Sequence, residues 1–206
     1  METMKKIIWM ALFAIITQNI YSQNQTTWQN AFYKSYDLEK SSNYTGAISE
    51  LKKVYKAGDY FVNIRLGWLY YLAKNYKESS KYYLTAIRLK PYAIEARFGY
   101  VKPLSALESW ENVKAQYLEI LKIDSHNTIA GYWLGLIYYN RKDFSNAAKQ
   151  FEKIVNLYPL DYDSVIMLAW TKLQQGKSSE AKLLFNHALT LRPNDNSALS
   201  GLKSIK

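Results

Sequence analysis

Two histidines, His126 and His187, are the only imidazoles in the 206-residue chain. Neither has a second ligand at metal spacing, such as a histidine four residues away on a helix. The pattern therefore predicts ordinary surface or half-buried imidazoles and no metal site. Asp161 and Asp163 form a carboxylate pair just after Pro159. In that position they read as turn and helix-cap residues before they read as an acid–base dyad. There is no cysteine, which removes disulfides, thiolate zinc sites and cysteine nucleophiles together. No Gly-rich phosphate loop and no G-x-S-x-G elbow occurs. The chain is read as no enzyme, with no cofactor. What stands out instead is 19 Tyr, 6 Trp and 7 Phe. Tyr joins a large apolar ring to a hydroxyl that seeks a wet edge, so it suits half-buried helix faces and binding surfaces.

The elements that carry these aromatics are predicted to be helical. Only 8 Gly and 4 Pro punctuate the chain, which favours helices joined by short turns over many short strands. Hydrophobic residues make up 49%, enough to bury a substantial core. At the N-terminus Lys5 and Lys6 precede the apolar run "IIWMALFAII", and "IYSQ" places Ile20 and Ser22 before a cut at Gln23. This charged, apolar, small-residue order is that of a secretory signal peptide over residues 1–22, with an uncleaved anchor as the alternative. The apolar run is about half the length a transmembrane helix needs, so no transmembrane span is expected. No Cys stands near the cut to carry a lipid. The expected location is periplasmic or secreted. Removal of residues 1–22 changes the net charge from +10 to +9, with 25 Lys plus Arg against 16 Asp plus Glu. The basic residues are interspersed with acidic ones, so no nucleic-acid arm is predicted. "NQT" at Asn24 and "NYT" at Asn43 match a glycosylation acceptor, which matters only in a eukaryotic secretory system.

A repeat organises the rest. At an offset of 34 residues, Leu66-Gly67 meets Tyr100-Val101, Leu134-Gly135 and Leu168-Ala169. Tyr76 meets Trp110, Phe144 and Ser178; Tyr83 meets Tyr117, Phe151 and Phe185; the units close on Pro91, Ser125, Pro159 and Pro193. A weaker copy precedes them at an offset of 32, with Tyr44, Ala47, Leu51 and Val54 in the second-helix slots and a turn two residues longer. The L-G-x2-Y, A-x3-F and closing-Pro pattern resembles the tetratricopeptide repeat. Departures are Asn63 at a frequent Trp slot, Val101 at the Gly slot, and Lys172 and Ser178 at aromatic slots. Gly67 and Gly135 are expected to let helices approach closely. Pro103, inside a predicted helix, is expected to kink or break it early.

The resemblance implies an all-α, right-handed helical-repeat solenoid of helix–turn–helix units. Its parts are a degenerate unit over 23–59, units over 60–93, 94–127, 128–161 and 162–195, and a C-terminal capping helix over 196–206 with Leu199 and Leu202 inward. In such proteins the first helices of successive units line a concave groove that takes a peptide. Those slots here are Phe61, Ile64, Trp68 and Tyr71, then Phe98 with Lys102. Ile129, Tyr132, Leu136 and Tyr139 follow, and then Ile166, Trp170 and Leu173. Carboxylate-binding members need Lys, Arg and Asn in these slots; only Arg65 and Lys102 come near. The expected partner is a protein or peptide, with a glycan or peptidoglycan strand as the alternative and an enzyme-accessory role third. The other reading of these aromatics is that they extend the core.

Overall fold

Asparagine and aspartate side chains set most of the helix starts. The computed structural model describes residues 25–205; the proposed leader, its cut site and Asn24 lie outside the described residues. Within them the chain forms eleven helices and no strand. It divides into two compact units, one ending at Leu107 and one beginning at Glu108. The first holds α1 (25–40), α2 (Tyr44–Lys53), α3 (Tyr60–Leu72), α4 (Tyr76–Leu89) and α5 (Ile94–Ala106). The second holds α6 (Trp110–Ile123), α7 (Thr128–Asn140), α8 (Phe144–Leu157), α9 (Tyr162–Gln174), α10 (Ser178–Leu191) and α11 (Asn196–Ser204). Asn43, Asp59, Asn75, Asn127, Asp143 and Asp195 each accept a hydrogen bond from the third amide of the helix they precede. Such caps satisfy an amide that would otherwise be orphaned, and each is worth about 1 kcal/mol. Asn43 of the glycosylation match is one of these caps.

The turns inside the hairpins are tight because one residue ends a helix and the next begins another. After α3, Lys74 adopts a left-handed φ of 58°. Its amide donates to Tyr71 O, and the Asn75 amide donates to Tyr70 O. This pair of bonds closes the helix C-terminus, and Asn75 then caps α4. The same pattern follows α7 at Lys142 and Asp143, and α9 at Gly176 and Lys177. The connection from α2 to α3 takes six residues, 54–59, where that from α4 to α5 takes four, 90–93. Asn63, fully buried, fills the longer one by donating to Ala57 O at 3.1 Å and Asp59 O at 2.7 Å.

An aromatic ring from each unit's second helices seats against glycine. A Cβ at Gly67 would stand 2.9 Å from the Tyr83 ring, and one at Gly99 only 2.1 Å away. Tyr83 of α4 is therefore sandwiched between α3 and α5. In the second unit a Cβ at Gly135 would meet Phe151 at 2.7 Å, and one at Gly201 would meet Phe185 at 2.2 Å. Phe151 and Phe185 are fully buried. Each contributes about 2–3 kcal/mol through the area it removes from water. The cores grow around them, with Ala147, Ala148 and Leu168 beside Phe151, and Val165, Ala169 and Ala198 beside Phe185.

Two expectations change, and one departure from the repeat is explained. α5 runs to Ala106 with Pro103 inside it, so it does not break early. Pro103 has no amide to donate to the Gly99 carbonyl one turn back, so the helix runs through it one bond short and ends within a turn. In α11 the inward residues are Ala198, Gly201 and Leu202, while Leu199 is exposed. The Phe185 ring requires that register, because only a glycine fits against it. Lys172 replaces an aromatic without leaving a gap. It is buried, and its ammonium pairs with Glu152 and Glu180 at 2.6 Å each.

Candidate functional site

In the first unit the aromatics lie along α3. Phe61 is 58% exposed at the start of the helix, beneath the Lys90 ammonium at 5.1 Å from its ring centre. Trp68 and Tyr71, half-buried, stand about two and three turns further on, with ring centres 5.7 Å apart. Lys102 of α5 lies 5.5 Å over Trp68 and 6.0 Å over Tyr71. The Trp68 indole donates to Glu39 Oε1 at 2.7 Å. Ile64 turns partly inward against Tyr60, Ala86 and Ala96, and Phe98 is half-buried on α5. A cleft of about 480 Å³ opens beside Trp68, bounded by Tyr36, Glu39 and Lys40 of α1, Tyr44, and Arg65 and Leu72 of α3.

Arg65 is not available to a ligand carboxylate. It is buried and ion-paired with Glu39. It also donates to Ser35 Oγ and Ser35 O at 3.2 Å each, and lies 3.8 Å over the Tyr36 ring. Buried charge is tolerated only when so fully paired. Arg65 thus fixes α1 to α3, and Lys102 is left as the cation of that expected pair that faces solvent.

In the second unit α7 carries the aromatics. Tyr132 is half-buried, its ring edge-on to Phe151 at 5.8 Å. Burial raises its hydroxyl pKa, helped by the carboxylates of Asp163 and Asp161. These three residues, with Thr128, Ile129 and Trp133, bound a cleft of about 200 Å³. A larger cleft, about 410 Å³, lies between Trp110 and the α7 residues Trp133, Leu136, Ile137 and Asn140, with Arg141 at its edge. Tyr139 is half-buried against Phe144 at 5.4 Å. Ile166, expected on this surface, is buried in the core with Val165 and Phe185. Trp170 packs edge-on to Phe185 at 5.1 Å, and its indole donates to Ser197 Oγ of α11 at 2.9 Å. Trp170 is thus half-buried, tied to both the core and the last helix.

Trp110 and Trp133 are what the repeat alignment missed. Trp110 aligns with the slot of Tyr76 and Phe144, yet it is 51% exposed, and Trp133 is 49% exposed. A signal was present: α7, "TIAGYWLGLIYYN", is apolar around its whole circumference, more than one buried stripe requires. The polar candidates are ordinary. His126 is exposed in the turn after α6, within 3.3 Å of Ser125 Oγ. Asp161 accepts from Ser164 Oγ at 2.6 Å, and Asp163 faces Arg192 at 3.6 Å. Among the described residues no group of three His, Cys, Asp or Glu could hold a metal ion.

Helix hairpins recurring at one spacing, with a small residue under a large ring, define an all-α helical-repeat protein. A tetratricopeptide-repeat family model matches residues 130–161, and a second model of that description matches 62–92 and 162–195. The chain belongs to the tetratricopeptide-repeat family. It is similar to the mouse (Mus musculus) BBSome complex member BBS4, with 28% identity over 139 residues, 63% of this chain and 27% of that protein. The chain thus spans about a quarter of the length of that curated relative. Among solved structures it resembles a tetratricopeptide repeat protein from Parabacteroides merdae, with TM-score 0.73, 19% identity, and 87% of this chain and 72% of that one covered. It also resembles the MamA protein, with TM-score 0.69, 18% identity, and 80% and 91% covered. A third is YrrB, described as a TPR protein with an unusual peptide-binding site, with TM-score 0.70, 16% identity, and 90% and 97% covered. At these identities the likeness is one of fold.

Proposed function

We propose that this chain is an exported, non-enzymatic scaffold that holds a protein or peptide partner on the aromatic faces of its first helices, in the periplasm or outside the cell. The observation that carries the reading is the set of large rings left part-exposed on α3 and α7, above all Phe61, Trp68, Tyr132 and Trp133. Exposed aromatic clusters mark interaction surfaces, and such rings are the usual anchors of an interface. The fold supports it, since YrrB is described as carrying a peptide-binding site. Export rests on the charged, apolar, small-residue order of residues 1–22. Among the described residues no helix is long and apolar enough to cross a membrane. The non-enzymatic reading rests on the solitary histidines and on Asp161 and Asp163, which stand at the start of α9 engaged with Ser164 and Arg192 and not with each other; Asp161 makes no side-chain cap bond there, against the expectation. A glycan strand could also stack on these rings, but none of the similar proteins supports it.

Crosslinking in intact native cells, with identification of what attaches, supplies the partner for the test. Trp68→Ala and Tyr132→Ala are then expected to weaken its binding by about 2 kcal/mol each, roughly thirtyfold, with helical content unchanged. Trp170→Ala, which removes a ring packed on Phe185, should lower thermal stability and leave the affinity of the folded protein intact. Unchanged affinity in the first two variants would show that these faces only extend the core. Binding to isolated peptidoglycan with no protein crosslinked would move the reading to a glycan.

A further inference from the structure

The chain's positive charge is not evenly divided. Residues 25–107 carry 13 Lys plus Arg against 6 Asp plus Glu, whereas residues 108–206 carry 12 against 10. The first unit therefore holds most of the excess. On the α3 face the carboxylates are already engaged. Glu39 is taken by Arg65 and the Trp68 indole, and Glu95, which keeps its charge, is held by the Tyr60 hydroxyl at 2.7 Å, leaving two cations to one exposed carboxylate. The cations are not. Lys90 lies over the Tyr60 and Phe61 rings at 4.6 and 5.1 Å, and Lys102 lies over Trp68 and Tyr71. Both are exposed, and among the described residues neither pairs with a carboxylate. A ring face holds an ammonium in place but does not neutralise it, so each remains free to meet an anion.

Resting on the binding reading above, we propose that this face takes an acidic, extended segment of a protein partner. Its aromatic or aliphatic side chains would lie on Phe61 and Trp68, and its carboxylates would meet Lys90 and Lys102. The spacing is informative. Phe61 and Trp68 are seven residues apart on one helix, about 10 Å at a rise of 1.5 Å per residue. An extended chain covers that in about three residues at roughly 3.3 Å each. The favoured ligand therefore carries Asp or Glu at two positions about three residues apart, flanked by apolar side chains. Complementary charge of this kind sets partner choice and encounter rate, while the rings supply the anchoring.

The test uses the full exported chain and labelled synthetic peptides about twelve residues long, read by fluorescence anisotropy. Three sets carry Asp, Asn or Lys at two fixed positions three apart, with the other positions drawn from Ala, Ser, Leu and Tyr. The Asp set is expected to bind best and the Lys set worst. Affinity for the Asp set should fall about tenfold as NaCl rises from about 50 to about 500 mM. Lys90→Glu and Lys102→Glu should each weaken the Asp set by about threefold to tenfold and improve the Lys set. Trp68→Ala should weaken every set. Equal binding of Asp and Asn sets, still lost in Trp68→Ala, overturns the acidic preference and leaves the aromatic site standing. Lys-dependent binding to phosphatidylglycerol vesicles with no peptide set bound overturns the protein partner. Failure of every probe overturns the proposal as well.

Discussion

Gly131 and Gly135 stand one turn apart on α7, and replacing each by alanine should move stability in opposite directions. Alanine gains about 0.5–1 kcal/mol over glycine in a helix because it has less backbone freedom to lose. At Gly131 the new Cβ would meet Ile154 Cδ1 at 3.4 Å, near ordinary contact, so Gly131→Ala should gain most of that. At Gly135 the Cβ would lie 2.7 Å from Phe151 Cε1 and 2.8 Å from Cζ. Carbon atoms prefer about 3.5–4.0 Å, and Phe151, fully buried between α7 and α9 core residues, has nowhere to swing. Overpacking of this kind costs about 1–3 kcal/mol, which leaves Gly135→Ala up to about 2.5 kcal/mol less stable after the helix gain. Repeat arrays need not unfold in one step. The loss is therefore best read by native-state hydrogen exchange on the amides of α7 and α8, beside thermal unfolding. Phe151→Leu in the Gly135→Ala background should recover part of the loss, a coupling of about 0.5–3 kcal/mol between touching residues. Equal or greater stability in Gly135→Ala, or no coupling to Phe151, would refute the ring-on-glycine account of the packing.

Two further tests follow from charge and address. Burial works against the Lys172 ammonium, but its bonds to Glu152 and Glu180 outweigh this and raise its pKa; the bond to Lys172 in turn lowers that of Glu180. The lysine's contribution is thus complete below its unfolded value of about 10.4 and lost as pH rises through the raised folded value. That of Glu180 is present above about 4.3 and lost as pH falls through the lowered one. Lys172→Met should flatten both flanks of a plot of melting temperature against pH; flanks identical to the parent's would show that the ion pairs carry no stability. N-terminal sequencing of protein from its native cell should begin at Gln23, and a chain still starting at Met1 that sediments with membranes would sink the export reading.

The all-α repeat was legible because its signals are local and recur. Tyr83, Phe151 and Phe185 hold one slot, and Asn75, Asp143 and Lys177 hold the helix-start slot at the same spacing. Less legible was which small residue each ring would meet. Gly99 looks like a register slip when aligned with Gly67, yet both contact Tyr83, one from α3 and one from α5. That second contact lies between hairpins, and an alignment of one repeat on the next does not display it. Lys172 misled for a related reason. Read alone it interrupts an aromatic slot, whereas its two carboxylate partners lie on α8 and α10.

The candidate surface was harder to read than the fold, and the cause is the amphipathic nature of aromatic side chains. Trp68, Trp133 and Trp170 all satisfy the same sequence rule, a large ring on a first helix. Their fates differ through neighbours that no period encodes. Glu39 holds the Trp68 indole at its rim and leaves the ring half-open, whereas the equally half-buried Trp170 turns its ring edge-on to the core residue Phe185 and its indole to Ser197. Trp133 stands in line with Gly99 and Gly201, where glycine admits a ring from the preceding second helix. A tryptophan there cannot offer that opening, and half of it remains exposed. An aromatic slot becomes a surface where its expected cover is absent or polar, so the exceptions to the repeat are the places to look for a partner.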